Sequence, residues 1–192
     1  MSELQLPRLI SDHMVLQRNK EIHIWGRDLP GHRVMVSFRG EEAVAQTDEK
    51  GDFSLFLPKQ EAGGPFSMLF RDDVGNEQVV GDVYIGEVWF CSGQSNMELP
   101  MNRVKDRFPE DVKDCKNTQI RTFKIRENGV FTAPLTELES GEWKSAQPET
   151  VLDFSATGYY FAKALHELLH VPVGFIDASL GGSLIESWMS RE

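Results

Sequence analysis

The sequence lacks most features of membrane, disulfide-stapled or nucleic-acid-binding proteins. Its 192 residues contain no apolar run of about 18 residues, so no transmembrane helix is predicted. Cysteine is scarce, since Cys91 and Cys115 allow one disulfide at most. Positive charge is in deficit, with 20 Lys and Arg against 30 Asp and Glu and a formal net charge of -10. Because nucleic acids and anionic membranes attract basic surfaces, neither is expected as a main partner.

The first residues also lack the parts of a secretory signal. Residues 1–5 contain neither a basic region nor the start of an apolar stretch, and the sequence has no Asn-x-Ser/Thr glycosylation site. The chain is either cytoplasmic or has lost a signal, so the compartment stays open. Cys91 follows an apolar stretch, Val88 to Phe90, and is predicted to be a buried free thiol.

Apolar residues alternate along four segments of the first 80 residues. The four segments are 22–24 (Ile22 and Ile24), 34–38 (Val34, Val36 and Phe38), 53–57 (Phe53, Leu55 and Leu57) and 66–70 (Phe66, Met68 and Phe70). A period of two places one set of side chains on a buried face of each strand. Residues 1–80 are therefore predicted to form an antiparallel β-sandwich. The histidines of this region, His13, His23 and His32, are interpreted as ordinary surface or core residues.

The pattern changes near Gly81 to that of a parallel α/β sheet. Residues 83–90 are mostly apolar, as in a strand covered on both faces. A second strand is predicted over 120–125, at a sheet edge because it contains Arg121 and Lys124. A helix over 154–170 follows, and then a third strand over 173–178. Residues 81–192 are thus predicted to form an α/β domain.

The predicted helix over 154–170 contains a competing motif. Ser155 is its expected N-cap, and an apolar stripe is predicted to be buried, comprising Gly158, Phe161, Ala162, Leu165, Leu168 and Leu169. The sequence His166-Glu167-Leu168-Leu169-His170 matches a zinc peptidase pattern. The stripe leaves both histidines on the opposite face with Tyr159 and Lys163, so we expect them to be exposed and without metal.

A serine lies where the first α/β strand ends. In Cys91-Ser92-Gly93-Gln94-Ser95-Asn96-Met97, a buried strand leads through a glycine turn to Ser95. Such a turn exposes a serine hydroxyl above the sheet, and its backbone N–H groups are able to stabilise an oxyanion. Taken alone, the pattern leaves two interpretations open: a nucleophile, or a serine that only caps a helix.

Four stretches resemble the sialate O-acetylesterase branch of the SGNH hydrolases. They are Gly93 to Met97, Ser11 to Gln17 with Trp25-Gly26, Phe154 to Phe161, and Val171 to Gly174 running on to Gly181-Gly182-Ser183-Leu184-Ile185-Glu186-Ser187-Trp188. They cover nearly the whole chain in the family's order. The resemblance implies that residues 81–192 form the first half of a flavodoxin-like, three-layer α/β/α SGNH domain.

The same resemblance implies a reaction and its residues. Ser95 matches the nucleophile, and its N–H matches one oxyanion donor. Gly182 matches a second donor, with Gly181 as the alternative. The implied reaction removes an O-acetyl group from a sugar, sialic acid first and a xylan-type polysaccharide second, and it needs no metal or organic cofactor. The family resemblance also suggests a periplasmic or secreted protein.

The family's Asp-x-x-His block has no counterpart in the sequence. A serine hydroxyl is a weak nucleophile without a base within hydrogen-bond reach. We therefore expect residues 1–192 to be the N-terminal portion of a longer esterase and inactive alone. The missing strands are expected on a second chain, or the chain self-associates as a homo-oligomer. The alternative from another functional class is a glycan-binding module that does not cleave its ligand.

Overall fold

The computed structural model describes residues 4–126, 135 and 137–189. The chain divides into two compact units, Met1–Gly86 (unit 1) and Glu87–Glu192 (unit 2). Both are built mainly on β-sheet with few helices, so the predicted mixed α/β class is confirmed at that level. None of the described helices is long and apolar enough to cross a membrane.

Seven strands begin in unit 1, and the last of them continues into unit 2. They are β1 (Val15–Gln17), β2 (Ile22–Arg27), β3 (Arg33–Phe38), β4 (Glu41–Gln46), β5 (Asp52–Leu57), β6 (Gly63–Asp72) and β7 (Glu77–Cys91). In unit 1, β4, β3, β6 and β7 pair antiparallel in that order, and β1 pairs parallel with β7. A separate antiparallel pair consists of β2 and β5.

Alternating apolar residues form the core of unit 1, as predicted. Ile24, Val34, Val36 and Phe70 are fully buried, and among the predicted core positions only Phe66 is partly exposed. Between β3 and β4, Arg39 and Gly40 form a two-residue turn with φ angles of 54° and 84°. Two consecutive left-handed residues match the right-handed twist of a hairpin, which fixes the register of these strands.

The described part of unit 2 adds three strands and three α-helices, besides short 3-10 turns. They are α1 (Ser95–Glu98), α2 (Pro109–Lys113), β8 (Asn117–Lys124), β9 (Trp143–Ala146), α3 (Ala156–Leu169) and β10 (Val173–Asp177). Strand β10 lies between residues 87–91 of β7 and strand β8, parallel to both. Strand β9 pairs antiparallel with the other side of β8.

The predicted edge position of the strand over 120–125 is wrong. Strand β8 has a partner on each side, and Arg121 is only 1% exposed. Its Nε donates to the carbonyl of Thr118 at 2.8 Å. A buried guanidinium needs such internal acceptors. The charge pattern of the strand therefore reflects local hydrogen bonding rather than an open edge.

Helix α3 has the predicted N-cap but a different buried face. Ser155 Oγ accepts a hydrogen bond from the Gly158 amide at 3.0 Å. The helix packs through its first turns, because a side chain at Gly158 would collide with the ring of Phe175. Three members of the predicted stripe are exposed, namely Phe161, Leu168 and Leu169, whereas Tyr159 of the face predicted to be exposed is buried, so the prediction is wrong at these four positions.

Both cysteines are buried free thiols, as predicted for Cys91. Burial is the main cause that raises the pKa of each thiol, and the nearby Asp177 carboxylate raises that of Cys91 further. Neither group is therefore a thiolate at neutral pH, and a nucleophilic role is left to the serine site.

Candidate functional site

Ser95 is the first residue of α1, four residues beyond the end of β7. Gly93, with φ of 138°, makes the turn between the two elements. The Ser95 side chain is exposed, and neither its hydroxyl nor its amide makes a hydrogen bond to a described residue. A serine hydroxyl that lies just beyond the carboxyl end of a parallel strand and makes no structural hydrogen bond is accessible to a ligand.

The segment after β10 runs directly beside this serine turn. The amide of Ala178 donates to the carbonyl of Cys91, and that of Leu180 donates to the carbonyl of Gly93, both at 2.9 Å. A Cβ at Gly181 would lie 3.9 Å from the Cα of Ser95. The glycine turn and the serine turn are therefore neighbours, as the parallel pairing of β7 and β10 requires.

The two glycines of this turn differ in what their amides do. Gly181 donates its N–H to Glu98 Oε2 at 2.6 Å. Gly182 makes no hydrogen bond to a described residue and has open space where a side chain would be. Its φ of 79° is in the left-handed region that favours glycine. Only Gly182 therefore has its N–H free for a ligand oxygen.

Glu98 links the two turns, and sequence reasoning missed it. It lies three residues after Ser95 on the same short helix, whereas Gly181 is 83 positions further along the chain. A bond from backbone N–H to carboxylate is charge-assisted and stronger than a neutral one. A carboxylate one turn after a candidate nucleophile was the available signal, but its partner is visible only in the fold.

The first turn of α3 supports the serine segment from below. Thr157 Oγ1 donates to the carbonyl of Asn96 at 2.8 Å, and the Ala156 amide donates to that of Leu99 at 2.8 Å. Ser155 Oγ donates to the carbonyl of Met97. Three donors from one helix end thus satisfy successive carbonyls of α1 and the residue after it, which fixes the backbone beneath Ser95.

Asp177, the last residue of β10, shapes the start of the glycine turn. The carboxylate is 1% exposed, and its Oδ1 accepts hydrogen bonds from the amide and hydroxyl of Ser179. Its Oδ2 makes no hydrogen bond to a described residue and lies 3.9 Å from Lys124 Nζ. Carboxylates that bond the backbone two residues on make tight turns, so Asp177 directs the chain toward Gly181.

A cavity of about 590 Å³ opens at the ends of β8 and β10. Its lining includes Glu98 and Ser179, although not Ser95 itself. Charged side chains surround it, contributed by Lys124, Arg126, Glu142, Lys144 and Asp153. A polar cavity of this size fits a hydroxylated small molecule better than an apolar one.

The two histidines of unit 2 lie away from this site. His166 and His170 are at the C-terminal end of α3, which precedes β10 and so lies at the amino ends of the parallel strands. The length of β10, about 13 Å at about 3.3 Å per residue, separates them from the serine turn. No described histidine makes a hydrogen bond to Ser95.

His170 is exposed as predicted, but His166 is half-buried because its Nδ1 donates to the carbonyl of Val171 at 2.7 Å. His170 takes the C-cap position of α3 with a left-handed φ of 55°. Among the described residues, His166, Glu167 and His170 do not gather their ligand atoms within 4.8 Å of one another. The zinc peptidase interpretation gains no support from this geometry.

Comparison with known proteins points to one group of enzymes. The mouse sialate O-acetylesterase is 28% identical over an alignment of 199 positions that covers 95% of this chain and 37% of that protein. The human sialate O-acetylesterase is 28% identical over an alignment of 200 positions that covers 94% of this chain and 38% of that protein. This chain resembles the sialate O-acetylesterases. The resemblance predicted from its motifs is thereby confirmed.

A solved structure agrees with this result. The crystal structure of a carbohydrate acetylesterase from Xanthomonas citri matches with a TM-score of 0.93 and 38% identity, covering 97% of this chain and 42% of that chain. No protein-family model matches the sequence. The chain spans a little over a third of the length of the curated relatives that it matches.

Proposed function

We propose that unit 2 carries the nucleophile and two oxyanion donors of a serine carbohydrate O-acetylesterase. The observation that carries the proposal is an exposed, unbonded Ser95 hydroxyl beside a glycine turn whose Gly182 amide is also unbonded. Acyl transfer needs both kinds of group within reach of one carbonyl. The likeness to sialate O-acetylesterases and to a carbohydrate acetylesterase supports an acetyl ester of a sugar as the substrate.

The proposed reaction has two steps. The Ser95 oxygen attacks the acetyl carbonyl carbon as a base removes its proton, and the resulting oxyanion accepts hydrogen bonds from the amides of Ser95 and Gly182. Collapse breaks the ester bond, and the sugar hydroxyl leaves with that proton. Water then attacks acetyl-Ser95 with the same base and releases acetate. Neither step requires a metal or an organic cofactor.

Glu98 acts in this scheme as a positioning residue. By accepting from the amide of Gly181, it fixes the peptide unit between Leu180 and Gly181, whereas the next amide, that of Gly182, makes no hydrogen bond to a described residue. Gly181, the alternative oxyanion donor, is therefore the less suitable of the two, because its only N–H is already bonded. A preorganised donor is worth more than one that must turn during the reaction.

The base is proposed to come from outside residues 1–192. Both histidines of unit 2 lie near the amino ends of the parallel strands, whereas Ser95 lies at their carboxyl ends. The relatives that the chain matches are also much longer. General-base assistance is worth roughly 10²- to 10⁴-fold, so residues 1–192 alone are expected to be nearly inactive. A second polypeptide that supplies the remaining strands and an Asp-x-x-His block would restore activity.

Sialic acid is the proposed sugar, with a xylan-type polysaccharide as the alternative. The cavity beside Glu98 is lined by three cationic side chains, from Lys124, Arg126 and Lys144, together with the carboxylates of Glu98, Glu142 and Asp153, and Lys144 pairs with Glu142 at 2.9 Å. Sialic acid carries a carboxylate that a cation would bind, whereas xylose does not. Removal of acetyl from O-acetylated sialic acid should therefore be faster than removal from acetylated xylan, and the reverse order would favour the alternative.

The architectural proposal follows from the same comparison. Unit 1 is proposed to be the predicted β-sandwich, from its two antiparallel sheets, and unit 2 the first half of a flavodoxin-like SGNH domain. The predicted boundary at residue 80 and the observed division after Gly86 differ by a few residues. A crystal structure of the chain together with its downstream portion would test both assignments.

The decisive experiment measures hydrolysis of p-nitrophenyl acetate and of an O-acetylated sugar. The chain is assayed alone and joined to the downstream portion of its gene, each with Ser95→Ala and with the matched control Ser92→Ala, which removes another exposed hydroxyl of the same turn. Activity only in the joined protein, lost in Ser95→Ala and kept in Ser92→Ala, is expected. Sugar binding without hydrolysis in the joined protein would favour a glycan-binding module.

A further inference from the structure

Unit 1 contains a buried cluster of two carboxylates and one imidazole. Asp28 follows β2, His32 precedes β3, and Asp72 is the last residue of β6. One ligand-type atom from each lies within 4.8 Å of the other two. The cluster therefore joins the β2–β3 loop to the β6–β7 hairpin, and none of its members lies in the proposed esterase site.

The buried carboxylate of Asp28 has an oxygen without a hydrogen-bond partner. Its side chain is 1% exposed; Oδ1 accepts from the Leu29 amide at 2.8 Å, whereas Oδ2 makes no hydrogen bond to a described residue. His32 Nδ1, which faces this oxygen, makes none either. Burying a carboxylate oxygen without a partner is costly, so the position beside Asp28 Oδ2 and His32 Nδ1 is suited to a cation.

The spacing in the cluster is longer than that of a hydrogen-bonded pair between histidine and aspartate. His32 Nδ1 is 3.6 Å from Asp28 Oδ2 and 3.8 Å from an oxygen of Asp73. The same chain forms a direct pair between His13 and Asp82 at 2.6 Å. Two ligands on a tetrahedral zinc ion, each bonded at about 2.0–2.2 Å, are about 3.4 Å apart. The observed separation is therefore close to that of two atoms sharing one cation.

Asp72 keeps one carboxylate oxygen available to a cation. Its Oδ1 accepts hydrogen bonds from the amides of Val74 and Asn76, and its Oδ2 accepts one from the side-chain amide of Asn76. A carboxylate oxygen has two lone pairs, so Oδ2, which accepts one N–H, is still able to bind a metal ion.

We propose that Asp28, His32 and Asp72 bind one divalent transition-metal cation. One imidazole nitrogen with carboxylate oxygens and no thiolate suits Zn²⁺ or Mn²⁺ better than a soft ion or an all-oxygen ion such as Ca²⁺. The role is structural: the ion links two loops that otherwise share no covalent constraint, and it offsets the buried charge of Asp28.

The first test titrates Zn²⁺, and separately Mn²⁺ and Ca²⁺, into metal-free residues 1–192 by calorimetry. One equivalent of Zn²⁺ is expected to bind, and Asp28→Asn and His32→Gln should each weaken binding by more than the roughly 10- to 100-fold cost of losing an outer-shell partner. His13→Gln, which removes the other Asp-paired histidine, should leave it unchanged. Binding lost instead in His170→Gln would assign the ion to α3 and overturn the proposal, as would no binding at all.

A second measurement separates a metal site from a simple histidine–aspartate pair. Without metal, Asp28→Asn should raise the midpoint of thermal unfolding, because the neutral amide removes an uncompensated buried charge. With saturating Zn²⁺ the order should reverse, since only the unmodified protein gains stability from binding. If protonated His32 neutralises Asp28, the variant will be less stable in both conditions, and the proposal fails.

Discussion

The two units place their chemically active side chains in opposite environments. In unit 1, Asp28, His32 and Asp72 are drawn inward, and an oxygen of Asp28 is buried without a hydrogen-bond partner. In unit 2, Ser95 and Gly182 face solvent, and the residues that hold them lie beneath. Buried unsatisfied groups call for a permanent occupant, whereas exposed unsatisfied groups on a fixed backbone are available to a transient ligand. The following variants test that contrast.

The largest effect is expected at Ser95. Ser95→Ala in the chain joined to its downstream portion should lower kcat by on the order of 10³-fold or more, since loss of a serine nucleophile leaves only oxyanion stabilisation and binding. Thermal unfolding should be unchanged because the hydroxyl makes no hydrogen bond to a described residue. Steady-state kinetics together with calorimetry check both parts. A large loss of stability would mean that Ser95 is a structural cap.

Glu98 should give the next largest effect. Glu98→Ala frees the Gly181 amide, and kcat of the joined protein should fall by roughly 10- to 100-fold with a smaller change in KM, in line with the cost of disturbing an oxyanion site. Glu98→Gln should recover most of the activity, because an amide oxygen also accepts from Gly181. Glu110→Gln, an exposed glutamate of α2, serves as the control. Equal loss in the Ala and Gln variants would point to a role for the charge itself.

Two glycines offer a matched comparison between the units. Gly182 and Gly31 have φ angles of 79° and 82°, and neither has an atom near the position of a Cβ. Replacing either with Ala should therefore cost about 1 kcal/mol of unfolding free energy through backbone strain alone. Only Gly182→Ala should also lower esterase activity, by shifting the proposed oxyanion amide. Denaturant unfolding and steady-state kinetics on both variants measure the two effects. If Gly182→Ala and Gly31→Ala have equal esterase activities, Gly182 has no part in the mechanism.

The smallest effect concerns a charge network near α3. The hydrogen bond from Lys163 is the main cause that lowers the pKa of Asp111 below its ordinary value, and the hydrogen bond from Tyr160 and then the charge of Lys163 lower it further. A lowered folded-state pKa gives stability that is complete above the unfolded value and disappears as pH falls through the folded value. Asp111→Asn should thus cost less than about 1 kcal/mol at pH 7, because this pair is partly exposed.

That cost in unfolding free energy should vanish below the lowered pKa of Asp111, where the wild-type carboxyl is protonated and therefore as uncharged as the amide of the variant. Denaturant unfolding of wild type and variant from pH 7 to pH 2 measures the difference. A cost that stays constant over this range would mean that geometry rather than charge holds Asp111. Glu110→Gln, one residue away and facing solvent, is the matched control for a change of charge on α2.

Local rules predicted the strands of unit 1 because each core position is set by its own sequence period. Ile24 and Val36 are fully buried, as alternation predicts. In unit 2 the same reasoning failed where distant contacts decide. Strand β8 is internal because β9 pairs with it, and Leu168 is exposed because α3 packs only through its first turns. Neither fact is encoded within the segment concerned.

The residues of the candidate site also divide into those that short motifs predict and those that only the fold brings together. Ser95 and Gly182 were identified from short motifs and from the family that those motifs resemble. Their supporting groups, Glu98 and Asp177, were missed because the bonds that define them depend on the pairing of β7 with β10. His32 was interpreted as ordinary for a similar reason, since Asp72 approaches it only after the sheet of unit 1 has formed.

Ser155 lends itself to a genetic interpretation. Its single oxygen accepts from Gly158 and donates to the carbonyl of Met97, so one atom closes α3 and holds the segment that bears Ser95. Alanine would break both bonds in a site with no access to solvent. Lesions at this codon should therefore behave as heat-sensitive alleles, with function retained in the cold and lost on warming, rather than as the unconditional nulls expected at codon 95.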